Sequence, residues 1–559
     1  MSGERKRLEE MIKAAFDSAR SKGAIKSQSL PSSILEKPKG NIEADYASTA
    51  AMSLASSEGR PARETADILK QYLYQQDLEG ILEGVEVAGP GFINFTIKPQ
   101  WWRKQLPEIV AAGERYGRSE LGKGQRVQIE FVSANPTGPL HIGHGRWAAV
   151  GNAMARLLRT AGYEIQTEYY INDAGRQVKL LGESVYARYQ QLLGHSYPDP
   201  EDGYRGAYIT HLAEQMIAQA GHAYVDKPVE ETLSVFTRFA MGEMLDEIKK
   251  DLAAFGITFD SWFSEASLFK QGAVTKVLDE LYRKGYLYKQ DGALWLRSSA
   301  FGDDKDRVVQ KEDGEYTYLA SDAAYHQDKL SRGFDLLINI WGADHHGYVS
   351  RVSAAVQAMG YSKERLKILI GQLVTLVRAG QPIPMSKRAG EFVTLQDVIN
   401  EVGKDAALFF FLMRRLDSPL EFDLDLAKRQ SNENPVYYVQ YAHARLSSVL
   451  RQAQERGLEL RKPDQIALER LDTPQELALI KQLCRYPELV EDAAQALEPH
   501  RITFYLQELA ALLHNYYYLH RIISEDSELT QARLLLVMAV QVVLRNALNI
   551  LGVSAPERM

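Results

Sequence analysis

Apolar residues recur every third or fourth position over residues 8–20 (Leu8, Met11, Ile12, Phe16) and again over 62–75 (Ala66, Ile68, Leu69, Tyr72, Leu73). This spacing predicts two amphipathic helices. Residues 81–87 and 92–97 alternate instead, on either side of Gly89-Pro90-Gly91, and predict two strands joined by a turn. Helical spacing returns over 101–112 and stops at Gly113, and 116–123 reads as a linker. Residues 1–115 are therefore expected to form a small α/β domain.

The middle of the chain has a different rhythm. Residues 127–132 are strand formers, followed by a loop rich in Pro and Gly. A helix is expected from Trp147, with Val150, Met154, Leu157 and Leu158 on the same face, and then a strand over 165–170. Strand, helix, strand in this span argues for a doubly wound parallel sheet. A helical stretch over 180–255 interrupts the alternation, which resumes with a strand at 336–341, a helix at 349–359 and a strand at 367–377. The economical reading is an α/β domain over 116–425 with an insertion at about 180–300. Beyond 426, helical patterns at 436–453, 474–496, 501–523 and 529–551 predict an all-α domain over 426–559.

Composition narrows the class. The chain has 559 residues, 45% of them hydrophobic and 25% charged, which excludes a disordered or fibrous protein and leaves room for about three to five domains. With 66 basic and 73 acidic residues the net charge is −7, so any contact with nucleic acid must be local. The single cysteine, Cys484, excludes an internal disulfide and a multi-cysteine zinc cluster, and suits a reducing compartment. The most apolar run, 534–544, contains Gln541 and falls short of the ~20 residues that span a bilayer. The N-terminal helix carries acids and lacks a signal-peptide core. A soluble, cytoplasmic protein with no membrane partner is expected.

Chemistry concentrates in two segments. Ala134-Asn135-Pro136-Thr137-Gly138-Pro139-Leu140-His141-Ile142-Gly143-His144 lies between a strand and a helix start, the place where open α/β sheets bind phosphates. Gly143 would let a nucleotide approach the backbone, and His141 and His144 could both point donors at a triphosphate. Alone, such a pair is more often a helix cap. A metal site has no cysteine partner nearby, and the overlapping G-x-G-x-x-A pattern at Gly143–Ala148 lacks the glycine directly after a strand that a dinucleotide fold needs. The second segment is Pro384-Met385-Ser386-Lys387-Arg388-Ala389-Gly390, by itself an ordinary solvated loop.

Together the two segments resemble the paired signatures of class I aminoacyl-tRNA synthetases. Longer stretches resemble the arginyl-tRNA synthetase family across essentially the whole chain. They include Tyr169-Tyr170-Ile171-Asn172-Asp173-Ala174-Gly175-Arg176-Gln177, Phe259-Asp260-Ser261-Trp262-Phe263-Ser264-Glu265, Trp341-Gly342-Ala343-Asp344-His345-His346-Gly347 and the C-terminal Leu551-Gly552-Val553-Ser554-Ala555-Pro556-Glu557-Arg558-Met559. The resemblance implies an arginine–tRNA ligase that uses ATP and Mg²⁺, built from a Rossmann-like catalytic domain, an N-terminal additional domain and a helical anticodon-binding domain, and acting as a monomer. It implies that His141, His144 and Lys387 are catalytic. Gly143, Asp344, His345, Met385, Ser386 and Arg388 would hold ATP; Asp344, His345 and His346 read equally well as structural. Asp322 and Glu265 would accept the guanidinium, with Tyr318, one helical turn before Asp322, adding its hydroxyl, while Glu130 and Asn135 would hold the amino and carboxylate groups. No protein-built metal site is expected.

For tRNA, the resemblance places Phe92 and Asn94 at an unpaired base of the D-loop corner, and Tyr438, Tyr441 and Met559 at the anticodon loop. The segment that names the anticodon-binding domain, Asp-Ala-Leu-Arg, is only partly matched by Asp405-Ala406-Ala407-Leu408. A further departure stands at Pro384, where the class usually has a lysine, and Gly138 does not replace it. Arg388 or bound tRNA could supply the missing positive charge. The alternatives are an inactive synthetase-like tRNA-binding protein and a class I synthetase of another specificity.

Overall fold

The computed structural model describes residues 3–31, 34–38, 42–383 and 393–559. Alternation in the N-terminal strands produces an antiparallel sheet of β1 (Leu35–Glu36), β2 (Tyr46–Ser48), β3 (Leu82–Ala88) and β4 (Phe92–Ile97), in the order β1-β2-β4-β3. Ile93 and Phe95 point into the core from one face of β4 and are fully buried. Helices Glu4–Ser21, Ala50–Glu58 and Ala62–Gln76 pack together beside this sheet. The strands β1 and β2 and the helix Ala50–Glu58 were not expected; the first two are too short to show a period. The expected helix at 101–112 is broken into Pro99–Arg103 and Leu106–Ala112, because Pro107 cannot donate to the carbonyl of Arg103 and its ring would clash there.

The central parallel sheet contains β5 (Arg126–Glu130), β6 (Glu164–Ile171) and β7 (Ser261–Ser264). After a separate antiparallel sheet of β8 (Leu287–Gln290), β9 (Ala293–Leu296) and β10 (Arg307–Gln310), it is completed by β11 (Leu336–Gly342) and β12 (Leu366–Gly371). The order is β12-β11-β5-β6-β7, and every pair is parallel. From β5 the chain winds first to β6 on one side and later to β11 on the other. The crevice between β5 and β11 is thus a topological switch point, where such sheets bind ligands beyond the carboxyl ends of their strands.

The insertion departs from the expected 180–300. Its helical part, Arg176–Leu192, Ala207–Ala220 and Val229–Ala254, ends before β7 and has its own core around Leu181, Val185, Tyr189 and Phe236. At four residues, β7 is a half-buried edge strand, too short for periodicity to reveal. The expected strand at 367–377 also divides. It stops at Gly371, where a Cβ would lie 2.3 Å from Trp147 Nε1, and β13 (Val374–Arg378) joins β14 (Gln381–Pro382) and β15 (Leu420–Asp423) in another sheet.

The C-terminal region is helical: Pro435–Glu455, Pro474–Cys484, Tyr486–Ala496, His500–Leu519 and Ser527–Leu551. Pro487 splits the expected helix at 474–496, as Pro107 does upstream. Ser527–Leu551 extends beyond the run noted at 534–544 on both sides. With a mean hydropathy of 1.9 over its best window, it could cross a membrane by length and composition, yet 67% of that window is buried inside the protein. It packs against Pro435–Glu455, His500–Leu519, Leu106–Ala112 and the catalytic helix Ile142–Thr160. Its apolarity is that of a core helix. Asn546 donates to the carbonyls of Gly113 (2.9 Å) and Tyr116 (3.0 Å), and one hydrophobic core runs through all three regions.

Candidate active site

The loop after β5 turns sharply. Val132 and Ser133 both have positive φ (68° and 40°), a conformation that costs a β-branched residue of order 1–3 kcal/mol. The turn lets Ser133 Oγ donate to Glu130 Oε1 (3.1 Å) and accept from the Tyr170 N–H (3.1 Å). It also delivers His141 to the N-terminus of the helix Ile142–Thr160.

The two histidines do cap that helix. His141 Nδ1 accepts from the Gly143 N–H (3.1 Å), and His144 Nδ1 accepts from the His141 N–H (3.3 Å). The rings stack with centroids 3.7 Å apart, and His144 meets the Trp147 edge. Capping and phosphate binding are here one geometry. A neutral imidazole that accepts at Nδ1 carries its proton on Nε2, so the cap fixes each ring as an Nε2–H donor at a positive helix end. Gly143 makes room, since a Cβ would sit 3.0 Å from the His141 ring. His141 also bridges to Thr394, whose neighbour Leu395 donates to Leu140. Pro384, Met385, Ser386, Lys387 and Arg388 lie outside the described residues.

Across the carboxyl edge stand three acids. Glu130 ends β5 and is buried; Glu265 is buried at the first turn of Glu265–Lys270; Asp322 is half-buried on the helix Tyr318–Ser331. Burial raises the Glu265 carboxyl above its usual value, opposed by hydrogen bonds from Tyr170 and Ser321. Asp322 is pushed up to about 7, first by burial and then by Glu130 and Glu265, against a hydrogen bond from Tyr348 and the charge of Lys329. Two acids that raise a third in this way form a site built for positive charge. With its amide nitrogen turned toward Ala174 O, Asn172 also donates to Glu265 Oε2 (2.9 Å).

Asn135 does not stand alone in the loop; its Nδ2 reaches Gln177 Oε1 (2.5 Å). Tyr318 begins the Asp322 helix but is 75% exposed, and the hydroxyl that reaches Asp322 is that of Tyr348 (2.7 Å). Tyr170, Tyr348 and Lys329 were missed by sequence reasoning. Lys329 had a readable signal, because Asp322, His326 and Lys329 follow helical spacing. Tyr348, at the end of a 3-10 turn, had none. Asp344 and His345 sit in that turn just past β11, largely exposed and 3.4 Å apart. Among the described residues, no group of three or more His, Cys, Asp or Glu side chains could hold a metal ion.

The expected RNA contacts lie elsewhere. Phe92 and Asn94 share a face of β4, with Asn94 Oδ1 buried and unpartnered. Tyr438 and Tyr441 both flank His514 (4.4 and 5.9 Å), and Arg445 lies between the Tyr441 and Tyr517 rings (4.7 and 4.6 Å). The C-terminal tail is tied to the same helix: Gln440 donates to Ser554 O, His443 meets Pro556 O and Arg451 donates to Glu557 O, leaving Met559 half exposed. Asp405 accepts from both Gln440 and Ser554.

Comparison with known proteins agrees with this layout. Residues 105–411 match the family model for the class I tRNA synthetase (R) catalytic domain, 6–97 the arginyl tRNA synthetase N-terminal domain and 439–559 the DALR anticodon-binding domain. The arginine–tRNA ligase of Citrifermentans bemidjiense is 51% identical over 538 residues, covering 96% of this chain and 97% of that protein. That of Desulfosudis oleivorans is 51% identical over 554 residues, 99% of each. The Thermus thermophilus arginyl-tRNA synthetase structure shares the fold over 100% of both chains, with a TM-score of 0.78 at 24% identity. With a catalytic model spanning more than half of its length and full-length relatives at half identity, the chain belongs to the arginyl-tRNA synthetase family.

Proposed function

We propose that this protein attaches L-arginine to its tRNA at the expense of ATP, through arginyl-adenylate, releasing AMP and pyrophosphate. The observation that carries this reading is the cluster of Glu130, Glu265 and Asp322 beside the histidine-capped helix end. A guanidinium keeps its charge and offers a planar fork of donors, which two carboxylates can match. Lysine, a point charge, would leave part of that set unpaired, and this discriminates without an editing site.

In this reading the arginine carboxylate attacks the α-phosphate, pyrophosphate leaves, and a terminal tRNA hydroxyl then takes the arginyl group. The protein's part is positioning and charge stabilisation. Nε2–H of His141 and His144 donates to the phosphates as negative charge builds there. Lys387, with Met385, Ser386 and Arg388, closes over the departing phosphates; the bridge between His141 and Thr394, seven residues past Lys387, supports this. Asp344 and His345 flank the nucleotide. Asn135 with Glu130 orients the α-amino and carboxylate groups, and Tyr318 turns inward over the guanidinium. Mg²⁺ enters with the substrate as MgATP.

Phe92 and Asn94 would read a D-loop base, and Tyr438, Tyr441 and Met559 anticodon bases, by stacking and amide contacts. Domain limits near 115 and 425, a monomeric state and a cytoplasmic location complete the proposal; the buried free thiol of Cys484 supports the last. Arginine-dependent ATP–pyrophosphate exchange, with and without total tRNA and with lysine and citrulline as controls, tests it. Exchange with arginine only is expected. Exchange that also requires tRNA would mean that RNA completes the loop at Pro384. No exchange with tRNA binding intact would identify an inactive tRNA-binding relative.

A further inference from the structure

Below Asp322, the helix Tyr318–Ser331 buries polar groups that the reaction above does not use. Lys329 is 0% exposed. Its Nζ contacts Glu130 Oε2, lies 3.1 Å from Asn339 Oδ1 and sits 4.2 Å over the Tyr325 ring. Asn339 is oriented in turn, its Nδ2 donating to His326 Nε2 (2.9 Å), while His326 Nδ1 donates to the Asp322 carbonyl (2.8 Å). Burial holds His326 down at about 3, so its ring is neutral and the chain of hydrogen bonds runs in one direction. Lys329 is thereby fixed on Glu130 from the rear of the cluster.

The charges around it divide cleanly. Glu168 is closed by Arg332 (2.7 and 2.9 Å), Tyr325 and Ser261. Asp173 is held by the Ala266 N–H and Ser264, and Asp328 pairs with Arg332. Arg351 lies over the Tyr348 ring at 5.5 Å, and Tyr170 and Tyr348 face the acids as neutral hydroxyls. That leaves Glu130, Glu265 and Asp322 against one ammonium.

We propose that Lys329 is a positioning residue for arginine selection, a built-in counter-ion that cancels one of three carboxylates. The three acids and the lysine then carry a net charge of about −2, which equals in size the summed charge of the ligand's guanidinium and α-ammonium, however the carboxylates are shared between those two groups. The proposal rests on the arginine reading above. It makes the pocket's charge, as well as its shape, part of specificity: an amino acid with a neutral side chain leaves one carboxylate unanswered.

The test is the pH profile of kcat/KM for arginine in Lys329→Met, which reports ionisations of the free enzyme. Without the lysine, Asp322 loses the positive charge that favours its carboxylate, and the acid limb is expected to move up by roughly 1–3 pH units. A role in packing alone would lower kcat/KM evenly across pH and leave the limb in place, which would overturn the proposal. The double variant Lys329→Met/Glu130→Gln restores the charge count, so its limb is expected at the wild-type position even though its activity is low. If Lys329→Met does not fold, Lys329→Gln removes the same charge with a shorter polar side chain: a limb moved up supports the proposal and an unmoved limb overturns it. Wild-type exchange measured alongside shows separately whether arginine is the substrate at all.

Discussion

Asp322→Asn should weaken arginine binding and stabilise the free protein together. In the folded chain Asp322 holds its proton up to about 7, against an ordinary 3.8. Below 3.8 both folded and unfolded chains are protonated, and the group contributes nothing. Between the two values the folded chain binds more protons, so its stability falls as pH rises, and above 7 the full penalty is present. At about 1.4 kcal/mol per pH unit, the penalty is about 4 kcal/mol above pH 7 and about 2 kcal/mol at pH 5.5. Asparagine removes it and retains a partner for Tyr348. Allowing for partial solvent screening, the Tm gain at pH 8 should exceed that at pH 5.5 by about 2–4 °C. Arginine should reverse the order, because losing one charged partner of a buried pair costs about 3–5 kcal/mol, or about 10²–10⁴-fold in arginine affinity. Thermal melts at both pH values, with and without saturating arginine, and arginine KM from pyrophosphate exchange, measure both effects. An unchanged KM, or a Tm loss of equal size at both pH values, would refute the reasoning.

Other substitutions separate roles that coincide in one residue. His141→Asn keeps a good N-cap but removes the Nε2–H donor, so kcat for exchange should drop about 10²-fold with little change in Tm; a matching loss of Tm would instead assign His141 to capping. Gly151→Ala would place a Cβ 2.2 Å from the Phe131 ring and should cost about 1–3 kcal/mol, read as the midpoint shift in urea; an unchanged midpoint would show that β5 and its helix are not tightly packed. Glu476, fully buried and bound by Arg533 (2.8 Å) and Tyr516 (3.0 Å), makes Arg533→Met a severe variant, with about 3–5 kcal/mol lost while arginine activation by surviving folded protein keeps its KM. Wild-type arginine KM should rise up to tenfold per pH unit below 7 as Asp322 takes up its proton; a flat profile from pH 5.5 to 8 would exclude it as an acceptor.

Much of this layout could be read from one sequence because long elements carry their own period. The helix at 8–20, the strands 127–132 and 165–170 and three of the four expected C-terminal helices repeat often enough to show themselves. What stayed hidden was short or non-local. The edge strand β7 has four residues, and β1 has two. Pro107 and Pro487 were visible in the sequence but were not used as breaks. At the site, His141 and His144 drew attention by their place between a strand and a helix start, whereas Glu265 and Asp322 were singled out through the resemblance to the family. The partners that tune them were not: Tyr348 reaches Asp322 from 26 residues away, and Lys329 pairs with Glu130 across 199. Such meetings depend on strand order, which no local pattern encodes.

The helix Ser527–Leu551 has a consequence for how the chain is made. Translation delivers the N-terminal sheet and then the catalytic domain, but the face of Ile142–Thr160 that receives this helix stays open until residues 527–551 have emerged. A chain cut short before 527 would present that apolar seat to water and to other chains. The apolar cover of Ile142–Thr160 is thus supplied from nearly 400 residues further along the chain.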